Sequence, residues 1–322
     1  MKSRRGRGRT AGAVFVLLAI LGAAVAQAPP PDAGGLPRRL APMVQAELAF
    51  AAAARAKGMK EAFIEFAAPD GLLFRRGAVN ARELWMRTDP APTGLLSWHP
   101  TYADVARSGE LGYTTGPWEF RPNASDEKAS GHGHFVTLWR MQADGSWLFA
   151  VDIGISHEAP AAPDNVLKYP ASAKDGGYFK TLTDGRGSER TADAARVAIL
   201  AAENKLAAHA NTNGAGAALL SRAAEDVRVY RPDSSPFVGL EAARPALEKE
   251  VERRFMIAEG VGAAESGELG YAYGTYLSGA GRGSYVRIWK RTSGNWRRRT
   301  EGDWRVVLDI TNPTPPPRRS GS

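Results

Sequence analysis

The sequence predicts an α+β protein of two similar domains, each with helices ahead of an antiparallel sheet. A repeat is the first reason: Ser108-Gly109-Glu110-Leu111-Gly112-Tyr113 returns as Ser266-Gly267-Glu268-Leu269-Gly270-Tyr271. The second is that both copies open at helical spacing, with Met43, Ala46, Glu47, Phe50 and Ala54 matched by Ile199, Ala202, Glu203, Leu206 and Ala210. The third is that each copy closes on two long strands carrying tryptophans, Trp139 with Trp147 and Trp289 with Trp304. The chain thus reads as a tandem repeat.

Composition narrows the class. Of 322 residues, 43% are hydrophobic and 24% charged, as in an ordinary globular protein, and the length suits two domains. The net charge of +8 is concentrated at the start, in Lys2, Arg4, Arg5, Arg7 and Arg9, so the rest of the chain makes no strong electrostatic claim on nucleic acid. Cysteine is absent, which excludes disulfides, thiolate metal sites and a cysteine nucleophile.

In chain order, residues 1–26 read as a secretory signal: a basic start, an apolar run from Ala11 to Val25 and the small-x-small end Ala24-Val25-Ala26. The run is too short to span a bilayer, so the protein is expected to be exported, periplasmic or extracellular, with no integral membrane association after cleavage. Residues 27–39 are a disordered leader rich in proline and glycine. The first domain covers 40–157. After its helix come a short strand at Gly71–Phe74, a second helix near Ala81–Met86 and strands at about 102–106, 110–120, 132–142 and 146–156. Residues 158–189 have linker composition. The second domain covers 190–312, with Thr191 as a candidate helix N-cap, a strand at Val227–Tyr230, a helix at Leu240–Arg253 and strands at about 256–264, 268–277, 283–292 and 303–311. Residues 313–322 are a disordered tail.

The turn Ala143-Asp144-Gly145 suits a three-residue hairpin loop with glycine in the left-handed region. That register groups Phe135, Trp139 and Met141 with Trp147, Phe149, Val151 and Ile153 on a face that covers the first helix. The other face offers Val136, Leu138, Leu148 and Ala150, and the second copy offers Val286, Ile288 and Val307. Strands apolar on both sides imply a second buried layer. The expectation is that the two outer faces pack on each other as an intramolecular pseudo-dimer.

The order of elements resembles the cone-shaped nuclear transport factor two-like superfamily and, within it, the SnoaL-like group called domain of unknown function 4440. The resemblance is carried by Trp98-His99-Pro100-Thr101-Tyr102-Ala103-Asp104-Val105, the run from Ser108 to Gly116, Phe135 to Arg140, Asp144-Gly145-Ser146-Trp147 and Asp152. In the second copy it rests on Ser266 to Gly274, Tyr285 to Lys290, Trp304 and Asp309. It implies two cones, each a curved antiparallel sheet wrapped on N-terminal helices. The second copy departs in lacking the Trp-x-Pro element and in lengthening its hairpin through Gly294–Gly302.

Parity in this register puts Asp152 and Asp309 opposite the tryptophans, among apolar residues, where a carboxylate finds a partner or titrates high. Asp152 with His134, diagonally across, is the candidate catalytic pair. With a two-residue turn instead, Thr137 would face Asp152 and Arg287 would face Asp309. Tyr113, Trp118, Tyr271, Tyr273 and Tyr276 decorate the middle strand, which in relatives helps line the cone, and are candidate ligand contacts. Trp139, Trp147, Trp289, Trp304, Asp309 and Arg287 are further candidates, with core packing as the alternative for the tryptophans. Glu110 and Glu268 read as solvated turn residues. His99, His132, His134 and His157 sit in the first copy, but nothing fixes a convergent ligand set, so no metal is assigned. Trp296 beside Arg297-Arg298-Arg299 reads as a solvated tip.

Phosphate-loop, serine-elbow and metalloprotease motifs are missing from the sequence. The resulting expectation is a cofactor-independent protein that binds a small hydrophobic or amphipathic molecule, or a protein partner, without turnover. The alternatives are an acid/base enzyme of the isomerase, cyclase or lyase (dehydratase) kind and a structural or assembly module.

Overall fold

The computed structural model describes residues 35–160, 165–173, 185–291 and 303–314. The expected signal, the tail beyond 314 and the Trp296–Arg299 tip lie outside the described residues. No helix among those described is long and apolar enough to cross a membrane.

Two sheets carry the chain. In the first half, α1 (Ala41–Lys57), α2 (Met59–Phe66), β1 (Ala67–Phe74), β2 (Ala78–Asn80) and α3 (Ala81–Arg87) precede β3 (Leu95–Trp98), β4 (Tyr102–Val105), β5 (Leu111–Arg121), β6 (Gly131–Met141) and β7 (Trp147–Ser156). The second half runs α4 (Gly185–Asn213), α5 (Ala215–Leu220), β8 (Ala223–Tyr230), β9 (Phe237–Val238), α6 (Leu240–Leu247), β10 (Phe255–Ala263), β11 (Leu269–Ser278), β12 (Gly281–Arg291) and β13 (Trp304–Pro313). The first sheet has the order β2-β1-β7-β6-β5-β3, with β4 also on β5, and the second β9-β8-β13-β12-β11-β10. In both, the strand after the helices lies parallel to the last strand and the remaining pairings are antiparallel. The halves are therefore two α+β cones of one topology.

Local chemistry explains the helices. Pro42 sits in the first turn of α1, where its missing N–H costs no hydrogen bond. Gly58, at φ 93°, breaks the chain between α1 and α2. Asn80 caps α3 by accepting from the Glu83 N–H at 3.0 Å. Thr191 is not a cap: α4 starts at Gly185 and runs through it. The short helices α2 and α5 were too brief to show a period in the sequence.

Each leading helix lies against a strand stripped of side chain at one point. A Cβ on Gly112 would come within 2.5 Å of Met43 Sδ, and one on Gly270 within 2.4 Å of Ile199 Cδ1. Those two glycines belong to the repeated hexapeptide, which accounts for their return.

The tryptophan hairpin corrects one expectation. Its turn is as anticipated, with Gly145 at φ 85° and Met141 facing Trp147. The register then slips between Leu138 and Trp139, so that Thr137 pairs with Asp152 and Leu138 with Val151. The second sheet slips at the matching place, pairing Arg287 with Asp309 and Ile288 with Leu308. These β-bulges at Ala150 and Val307 flip every later residue to the other face. Val151 and Ile153 consequently leave the helix-covered face, and Asp152 and Asp309 move onto it.

The outer faces meet. Val136, Leu138, Val151, Ile153 and Ile155 from the first sheet share one buried cluster with Val286, Ile288, Val307, Leu308 and Ile310 from the second. At its edge the repeated hexapeptides meet each other. Ser108 Oγ and Ser266 Oγ lie 2.7 Å apart, and each hydroxyl accepts the backbone N–H of the other serine, at 3.2 and 3.1 Å. Glu268 accepts the Arg107 N–H, and Glu110 accepts the Glu265 N–H, both at 2.7 Å. Glu110 and Glu268 are thus not the solvated residues expected but caps on the opposite copy. Burial pushes the Glu110 carboxyl up from its ordinary value.

Because the shared layer belongs to both halves, Leu138→Ala should lower the stability of the whole chain by about 2–5 kcal/mol. Calorimetry should show one transition at reduced temperature, with neither half melting separately.

Candidate functional site

The first cone is hollow. A cavity of about 520 Å³ opens between α2, α3 and the concave face of the sheet. Its buried wall is aromatic, from Phe50, Phe63, Trp85, Trp98 and Phe135, and its more exposed rim includes Arg75, Trp118, Phe120, Ser130 and Ser156. The phenylalanines hold one another in place: Phe50 meets Phe63 edge-on at 4.8 Å and stacks on Phe66 at 5.3 Å. Asn312 of the second half reaches this rim and donates to the Gly154 carbonyl at 3.0 Å.

Behind the cavity stands a buried carboxylate. Glu47 of α1 is fully buried and accepts from Trp98 Nε1 at 2.6 Å, from Trp139 Nε1 at 2.9 Å and from the Thr114 hydroxyl. Burial pushes its pKa up, against the pull of these donors. Asp152 borders the cavity beside it and accepts from Thr137 Oγ1 at 2.8 Å. Burial above all, with the nearby Glu47 charge adding to it, raises the Asp152 pKa to about 7, while the Thr137 hydrogen bond and Arg75 oppose the rise. Its proton is therefore exchangeable near neutral pH, inside apolar walls.

The second cone answers the same problem differently. Arg287 stands where the first copy has Thr137, and its guanidinium donates to Asp309 at 2.6 Å, to Glu203 at 2.8 Å and weakly to the Met256 sulfur. Arg231 lies 2.7 Å from the other Asp309 oxygen and 2.6 Å from Glu250. Burial alone would raise the Asp309 pKa; Arg287 and Arg231 more than offset it and hold the carboxyl below its ordinary value. Glu203 also accepts from Trp289 Nε1 at 2.7 Å, as Glu47 does from Trp139. One cone has its acids neutralised by arginine, whereas the other keeps two acids with no cation among the described residues in contact.

Of the residues singled out in the sequence, Asp152 and Trp118 line the cavity. His134 does not face Asp152. The bulge puts it opposite Ile155, and its Nδ1 lies 2.7 Å from Nε2 of His157, whose Nδ1 donates to the Glu158 carbonyl. Tyr113, Tyr271 and Tyr273 lie on the layer between the halves rather than in a cone, since alternate residues of the middle strand face opposite ways. Tyr276 is buried under the Arg254 guanidinium. Trp139, Trp147, Trp289 and Trp304 are core residues. Arg287 and Asp309 form the buried ion pair that the two-residue-turn alternative anticipated. No three histidine or acidic groups converge as a metal site among the described residues. The sequence reading missed Phe63, which lies in a helix too short to assign, and Trp85 and Phe120, which lie in the expected second helix and middle strand but were not singled out there.

No family model and no curated protein matches the chain. Similar solved structures include a ketosteroid isomerase-like protein from Erwinia carotovora atroseptica, at 19% identity over 38% of this chain and 98% of that one, with a TM-score of 0.31. A protein of unknown function with a cystatin-like fold from Nostoc punctiforme is 15% identical over 38% of this chain and 92% of that one, with a TM-score of 0.30. A DUF4783 family protein from Bacteroides uniformis is 9% identical over 35% and 97%, with a TM-score of 0.29.

Two outcomes follow from the contrast between the cones. Arg287→Met leaves Glu203 and Asp309 buried without their common cation and should cost about 3–5 kcal/mol in urea unfolding. For Asp152, the raised pKa means that the folded state holds a proton the unfolded chain has lost between about pH 4 and pH 7, so wild-type stability falls as pH rises through that window and levels off above it. Asp152→Asn removes this dependence, and its melting temperature relative to wild type should climb by several degrees from pH 5 to pH 8.

Proposed function

We propose that the protein binds a small hydrophobic or amphipathic molecule in the first cone, the second cone serving as its structural partner. The single observation that carries this is the cavity of about 520 Å³ with aromatic walls and one acid on its border. That size lies within the roughly 300–1,000 Å³ of small-molecule sites, and few polar groups in a mostly apolar wall is their usual make-up. The ion-paired acids of the second cone, held by Arg287 and Arg231, support a division of labour.

Acid/base turnover is the second reading, favoured by the Asp152 carboxyl with its pKa of about 7. A group of that pKa exchanges a proton with a bound molecule at little cost at neutral pH. In this reading Asp152 acts without His134, whose ring is engaged with His157. We also infer that the halves are tandem SnoaL-like repeats of domain of unknown function 4440, a reading supported by the returning hexapeptide and the matching bulges. The basic, apolar start supports export.

Native mass spectrometry of protein purified from its own host should reveal one retained small molecule per chain. Leu96→Trp, which fills the cavity from its half-buried wall, should abolish that retention. A chain that carries nothing, or a mass that persists in the filled variant, would count against the reading.

A further inference from the structure

The polar groups around the cavity have a common character. Trp85, only 5% exposed, lines the wall, and its Nε1–H finds no hydrogen-bond partner among the described residues. A buried donor left unpaired is costly and rare, and when it borders a cavity a ligand atom is its natural partner. Arg75 lies on the rim, exposed, and makes no ion pair with another described residue. Among the described residues that line the cavity, it is the only ionisable side chain besides Asp152. Asp152 itself has one oxygen satisfied by Thr137 and, when protonated, offers an O–H donor. Among the described lining residues the Trp85 indole is a buried donor left unpaired, Ser130, Ser156 and Asn312 can both donate and accept, and the one fixed charge at the mouth is positive.

We propose that the first cone selects apolar, ring-sized molecules bearing an anionic oxygen group, a carboxylate or sulfonate, with Arg75 as charge partner and the Trp85 indole as hydrogen-bond donor to the ligand. This deepens the cavity-binding reading and rests on it. A molecule with a neutral polar end would leave the Arg75 charge unanswered, and a cationic one would be repelled by it. The apolar body of the ligand would lie against Phe50, Phe63 and Phe135, where rings pack well against rings.

Two fluorescent probes of similar size separate the parts of the argument: 1-anilinonaphthalene-8-sulfonate, which is anionic, and N-phenyl-1-naphthylamine, which is neutral. Wild-type protein should bind both, the anionic probe more tightly, and both should lose binding in Leu96→Trp. Arg75→Gln should weaken the anionic probe about fivefold to tenfold and leave the neutral one within about twofold. Trp85→Phe should act in the same selective sense. Failure of both probes to bind, or binding that survives Leu96→Trp, overturns the cavity reading itself, whereas failure of the anionic probe alone overturns the anion assignment. Binding of both probes with equal affinity, unchanged by Arg75→Gln, overturns the anion assignment while leaving the cavity standing. Arg75 is exposed, so its variant tests charge rather than folding, and a melting curve for each variant verifies this.

Discussion

A buried carboxylate on the leading helix, hydrogen-bonded to an indole on the sheet, ties helix to strand in both halves. Glu47 meets Trp139 at 2.9 Å and Glu203 meets Trp289 at 2.7 Å, all four residues being almost wholly buried. A charge placed there is expensive unless its lone pairs are filled, so the position fixes the helix angle, the strand register and the rotamers around it at once. Everything concave in each cone is measured from this contact.

The copies part company in how they treat the acid next to it. The bulges at Ala150 and Val307 bring Asp152 and Asp309 to the same face as the glutamates. Two acids in one apolar interior cannot both ionise cheaply. Arg287 resolves this in the second cone by pairing with both. Thr137 supplies only a hydrogen bond in the first, and Asp152 holds its proton to near-neutral pH. Arg287 and Arg231 thus separate a cone whose acids are ion-paired from one whose acid is free to bind or exchange a proton.

The shared layer gives the second cone a part in the site of the first. It covers the back of the sheet that carries Asp152, and through Asn312 it reaches the cavity rim. The serine and glutamate contacts between hexapeptides satisfy backbone groups that would otherwise be stranded at the seam. The repeat that looked like a turn signal in each copy is a docking element between them.

The sequence by itself determined the class of fold, the paired helices and long strands, and the apolar second face that brings the halves together. Those features are written in spacing and alternation, which depend on neighbours a few residues apart. It could not decide which face Asp152 occupies, because a bulge is one unpaired residue and leaves the period on either side intact. Nor could it tell that Glu110 caps Glu265, that His134 turns to His157, or that Phe63 and Trp85 enclose a cavity. Each of those depends on residues brought together by the closed sheet, and only the tertiary structure, through packing and the distance between charges, sets them.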